Sequence, residues 1–178
     1  MATWPAIAPP RPALAALLAA LLALFTSLAA AENPLEAKVK AAYLFNLTKF
    51  VDWPDLPADA LHICVIGSDA IGGLLGELRD RRVKDRPLRI DRNGGVVPGN
   101  CQVLFISRSE DGWRDILQGL SGSTVLTVSD RDSFASNGGM VGFYTESGKV
   151  KLEINPRAAR DANLHISSKL LELARSVP

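Results

Sequence analysis

KVKAAYLFNLTKFVDWP, running from Lys38 to Pro54, is the stretch on which the fold turns. At about 100° per residue a helix sets Val39, Tyr43, Asn46 and Phe50 on one line, with Ala37, Ala41, Leu44, Thr48 and Val51 roughly opposite. A helix apolar on two sides needs two covers. A sheet under one stripe and a second helix, or a partner protein, over the other would supply them. Trp53-Pro54 is the predicted end, because a residue ahead of proline leaves helical space and the ring cannot extend the ladder. Asn46, between Tyr43 and Phe50, is costly on an apolar line unless its amide is paired. Pairing with nearby backbone and recognition of a partner are both open.

Upstream, residues 1–31 read as a secretory signal. Arg11 precedes an Ala/Leu run from Ala13 to Leu28, and Ala29-Ala30-Ala31 offers a small-x-small cleavage site near Ala31. The competing reading is a retained membrane anchor, since the run is of borderline spanning length. Residues 32–178 suit a single domain with its own core. The chain holds 20 Lys plus Arg against 19 Asp plus Glu, and without Arg11 the two balance at 19. With no polybasic stripe, nucleic acid is not an expected partner. Arg79, Arg81, Arg82, Lys84 and Arg86 alternate with Asp80 and Asp85 and read as a solvated connection.

Downstream, three short apolar runs rich in β-branched residues read as buried strands: Leu61–Gly67, Cys101–Ser107 and Thr124–Val128. Ile71, Leu74, Leu75 and Leu78 recur at helical spacing, predicting a helix over 69–80 after the first run. Ser107-x-x-Glu110 has the form of a capping box for a second helix, with Trp113, Ile116, Leu117 and Leu120 as its stripe. Strand, helix, strand, helix, strand at this spacing predicts right-handed parallel crossovers. Leu88 and Ile90 mark a short edge strand, and residues 91–100 a Gly/Pro-rich loop.

Beyond Val128 the pattern changes. Residues 140–145 and 149–155 flank a turn at Glu146-Ser147-Gly148 and predict a hairpin. In its second strand Val150, Leu152 and Ile154 would face the core, and Lys149, Lys151 and Glu153 water. Pro156 can open a short helix to about Ala162, and a final helix is predicted over 167–177. The expected fold is three-layer α/β: a mixed sheet with a parallel core, an antiparallel C-terminal hairpin, and helices on both faces.

No reactive centre is legible, so the chain is not expected to be an enzyme. Gly67-x-x-x-x-Gly72-Gly73 follows a strand, but neither the G-x-G-x-x-G spacing nor a Gly-Lys-Ser/Thr is present, so it reads as a tight turn with close packing. Asp130-x-Asp132 lacks the Gly and Glu that an EF-hand needs at its sixth and twelfth positions and reads as a polar turn. His62 and His165 are the two imidazoles, far apart and outside any ligand-spaced cluster, so no metal or cofactor is expected. No G-x-S-x-G elbow is present. Asn46-x-Thr48 matches a glycosylation sequon by chance, within a helix.

Cys64 and Cys101 are the two cysteines. In an exported chain they permit one bridge, worth about 4 kcal/mol by loop entropy. Each lies within a predicted strand, and those strands could be neighbours. Two buried free thiols are the alternative.

Apolar helical surface is plentiful. On the predicted last helix Ile166, Leu170, Leu173 and Val177 fall on one stripe, widened by Leu171 and Ala174. Docking on the chain's own sheet would consume it. With Tyr43 and Phe50 of the first helix, it could instead be held by another protein.

Taken in order, KAAYLFNLTKFVDWP, ICVIG, CQVLFIS with Ser109-Glu110, VLTVSD, Phe134, Gly138-Gly139-Met140, LEIN and NLHISSKLLELA resemble the YfiR family of periplasmic proteins over nearly all of the chain after the leader. The resemblance implies a periplasmic protein that restrains an inner-membrane diguanylate cyclase by binding the cyclase's periplasmic sensor region. It also implies sequestration by an OmpA-type outer-membrane lipoprotein. Cys64 and Cys101 match the family's common cysteine pair, which favours the disulfide. A second pair found in some members near the terminal hairpin is missing, so the resemblance implies no redox control through that region. No catalytic residue carries over. Self-association as a homodimer is a further expectation. The alternative function is a periplasmic small-ligand sensing module for another membrane receptor, using clefts at the strand ends near Gly67 or Ser107.

Overall fold

The computed structural model describes residues 33–68, 71–79, 81–92 and 97–177. The expected leader lies outside the described residues. Helix α1 (Pro34–Phe50) leads into β1 (Val51–Asp52), and β2 (Leu61–Ile66) follows. Next come α2 (Ile71–Leu75) with a 3-10 turn, β3 (Arg82–Val83), β4 (Arg86–Arg92), β5 (Val103–Ile106), α3 (Trp113–Gly119) and β6 (Leu126–Ser129). The chain closes with β7 (Val141–Glu146), β8 (Lys149–Ile154), α4 (Pro156–Asp161), β9 (His165–Ile166), α5 (Ser168–Glu172) and β10 (Arg175–Ser176).

The main sheet runs β10-β8-β7-β6-β5-β2-β4-β3, and β1 pairs with β9 in a separate ribbon. Strands β4, β2, β5, β6 and β7 are parallel, while β8 returns antiparallel to β7. This is the expected α/β fold. Side chains alternate across each strand, so both faces of the sheet must be covered. Leu61, Ile63 and Val65 of β2, with Val103 and Phe105 of β5, meet Ala37, Ala41, Leu44 and Leu47 of α1 and Ile71 and Leu75 of α2. Cys64, Ile66, Leu104 and Ile106, on the opposite face, meet Trp113 of α3 and Phe134.

Several local expectations are corrected. Helix α1 stops at Phe50, three residues short of Trp53, because Val51 and Asp52 pair with Ile166 and His165. Its one fully buried face carries Ala37, Lys40, Ala41, Leu44, Leu47 and Thr48, whereas Asn46 is exposed and accepts from Lys49 at 3.3 Å. The helix predicted over 69–80 is reduced to Ile71–Leu75 and the turn Gly76–Leu78, as its three glycines weaken it. The charged connection forms the β3–β4 hairpin, with Lys84 and Asp85 at positive φ and Val83 buried, so β3 takes the outermost position foreseen for Leu88 and Ile90.

Ser107 does not cap α3. That helix starts at Trp113 behind Gly112, and the Ser107 hydroxyl donates to Ser68 O at 3.1 Å instead. The final helix spans only Ser168–Glu172, capped by Ser167. After it, Arg175 and Ser176 pair with Glu153 and Ile154 as a parallel edge strand, so the stripe from Ile166 to Val177 does not exist as a helical face. The hairpin turns at Ser147 and Gly148, both at positive φ, as its two-residue form requires. Yet Glu153 faces inward: it accepts from Ala135 N at 3.3 Å and from Arg175 at 2.9 Å.

Candidate functional site

The direction of chain winding reverses between β2 and β5, where α/β proteins place ligands beyond the carboxyl ends of strands. In this chain that crevice is filled. Gly67, at φ +90°, approaches so closely that a Cβ on it would lie 2.8 Å from Ser107 Cβ. Ser109 Oγ meets Ser107 Oγ at 3.0 Å and donates to Ser68 O at 3.0 Å. The glycine serves the close packing expected of it, and the serines take the volume a ligand would need.

One strand further on, the ends of β5 and β6 carry a charged network. Lys40, on the buried face of α1, donates to Asp130 Oδ2 at 3.1 Å and lies 3.0 Å from Glu36. Asp130 also accepts from Arg108 N at 2.9 Å and Arg108 Nε at 3.1 Å, while Arg108 Nη2 donates to Asp130 O at 3.0 Å. Glu36 further accepts from Thr145 at 3.2 Å. The hydrogen bond from Lys40 is the main reason the Glu36 carboxyl lies below the usual carboxylate range. A charge this deep is tolerable only when paired and bonded, as Lys40 and Asp130 are. The sequence held one signal for it, the Glu36/Lys40 pair at i, i+4. Reading Asp130 as an exposed turn residue concealed its other half.

Cys64 and Cys101 form a disulfide across 37 residues of chain, with Cα atoms 6.0 Å apart. It joins β2 to the approach to β5, its parallel neighbour, which is the adjacency the two-strand reading required. Trp53, itself buried, donates from Nε1 to the carbonyl of Gln102, the residue after Cys101, at 3.2 Å.

The apolar candidates are dispersed. Ile166 and Leu170 are buried in the core. Tyr43 and Phe50 are half-buried, Tyr43 lying 6.1 Å from the Phe143 ring. Val177 is half-buried, with its N–H bonded to Ile154 O. Leu173 is 78% exposed, and Leu35 at the start of α1, which the sequence did not single out, is 68% exposed.

The sequence model of the YfiR/HmsC-like family matches residues 37–175. The chain belongs to this family. Membership places it, at the level of the family, among periplasmic regulators of diguanylate cyclases, which are regulators rather than catalysts. In this YfiR/HmsC-like chain the match runs from the buried face of α1 to β10, so both ends of the Lys40–Asp130 pair fall inside it. His62 Nδ1 lies 2.6 Å from Asp91, far in sequence from His165 in β9. Among the described residues no group of three or more His, Cys, Asp or Glu is placed to hold a metal, and no helix is long and apolar enough to cross a membrane.

Proposed function

We propose that this protein restrains a membrane-bound diguanylate cyclase by binding the cyclase's periplasmic sensor region. The observation that carries the proposal is the YfiR/HmsC-like match across the folded domain. The partner face consists of the solvent side of α1, with Tyr43 and Phe50, together with Leu173. Ile166 and Leu170 hold the segment that presents Leu173, and Val177 anchors its far end. Isolated exposed leucines are ordinary on any protein surface, so the two here support the reading without carrying it.

Restraint works by population shift. The regulator binds the inactive state of the sensor better than the active one, and removing the regulator restores activity. Moving the sensor from almost wholly active to almost wholly inactive takes about a 10⁴-fold preference, or roughly 5.5 kcal/mol. Capture by an OmpA-type outer-membrane lipoprotein would remove it, and a homodimer is a further state in which the same apolar groups are covered.

Two measurements test this. Deleting the gene should raise cellular cyclic di-GMP, and levels that stay flat across envelope stresses would count against the proposal. Leu173→Asp should weaken capture of the cyclase's periplasmic region while leaving the fold intact, because Leu173 is exposed.

A further inference from the structure

Beyond the filled crevice, a cavity of about 380 Å³ opens at the carboxyl ends of β5 and β6, walled by Arg108, Arg114 and Arg131 around Trp113. We propose that this cavity binds an oxyanion, the carboxylate or phosphate group of a small ligand, between those three guanidiniums. The proposal does not depend on the identity of the cyclase partner.

Three observations converge. First, the guanidiniums are held in place by contacts that spare donors. Arg114 Cζ lies 4.3 Å and Arg131 Cζ 5.6 Å from the centre of the buried Trp113 ring, and stacking on a ring leaves in-plane N–H groups available. Among the described residues Arg114 has no hydrogen-bond acceptor at all.

Second, Arg131 is anchored at one end and unsatisfied at the other. Its Nη2 donates to Arg108 O at 2.6 Å and Glu110 O at 2.9 Å, while its buried Nε has no acceptor among the described residues. Native proteins leave few such donors unpaired. A ligand oxygen that reached Nε would pair it by a single charge-assisted hydrogen bond, with Nη2 kept as the anchor.

Third, the local acids leave Arg114 without an ion pair among the described residues, while Arg108 is committed to Asp130. Asp130 is matched by Lys40 from behind and by Arg108 from the side. Asp111 reaches Arg131 only at 3.9 Å and is fully exposed. Asp132 lines the cavity, exposed and without an ion pair among the described residues, so it opposes an anion. It therefore sets the sign of one test.

The experiment is titration calorimetry on protein purified after expression of the full chain, with inorganic phosphate and, separately, succinate. Saturable binding that weakens with added salt is expected for at least one of them. Arg114→Gln should weaken it about tenfold, and Asp132→Asn should tighten it about threefold, the opposite direction from any general loss of structure. Both positions are exposed, and thermal melts verify that the variants fold. Phosphate binding without succinate assigns a phosphate-bearing ligand, and succinate binding assigns a carboxylate-bearing one. No saturation by either up to about 10 mM, or an affinity unmoved by both substitutions, overturns the proposal.

Discussion

Lys40 Nζ lies 3.1 Å from Asp130 Oδ2 with both side chains 2% exposed, joining the first helix to the end of β6 across 90 residues of chain. Removing one member of a buried pair strands the other. Lys40→Met should therefore destabilise the fold by about 3 kcal/mol, since Arg108 still serves Asp130. Asp130→Ala should cost more, about 5 kcal/mol, because the Arg108 N–H loses its acceptor as well. Urea denaturation of the two variants against wild type ranks them, and equal or negligible losses would contradict this account.

Glu36 gives the network a pH signature. Its folded pKa is depressed, chiefly by the hydrogen bond from Lys40. The stabilisation is therefore complete above the unfolded value of about 4.3 and is lost as the pH falls through the lower folded value. Glu36→Gln should lower the urea midpoint at neutral pH and flatten its decline between about pH 5 and pH 3. A decline as steep as that of wild type would show that Glu36 does not contribute it.

Two glycines should respond oppositely to alanine. A Cβ on Gly139 would lie 2.2 Å from the ring of Phe134, which is fully buried, so Gly139→Ala should cost about 1–3 kcal/mol or more through overpacking. Gly119 ends α3 with open space around its Cα, and Gly119→Ala should stabilise by up to about 1 kcal/mol through reduced unfolded-state entropy. Thermal midpoints moving in the same direction would refute the pairing.

The disulfide closes a 37-residue separation, for which loop entropy gives about 4 kcal/mol. Cys64→Ala with Cys101→Ala should lower stability by that order, and adding reductant to the double variant should change nothing further. If wild type in reductant kept its full urea midpoint, the bridge would not be constraining the unfolded chain.

The sequence by itself determined the fold class, because its information was local. Short apolar runs rich in β-branched residues, such as ICVI and VLFI, read as strands covered on both faces, and the Ser147-Gly148 turn fixes a hairpin within a few residues. The paired cysteines and the family resemblance were legible for the same reason, as both rest on residues read in order. Only the tertiary structure decided which charges are internal. Lys40, Asp130 and Glu153 look solvated in sequence, and each is buried because a partner from a distant element meets it there: Asp130 for Lys40, Arg108 for Asp130, Arg175 for Glu153. It also ended the last helix early, since two residues of β10 gain more from pairing with the open edge of β8 than from another helical turn. A side chain's cost of burial depends on what faces it across the fold, and that neighbour is set by chain topology rather than by adjacent residues.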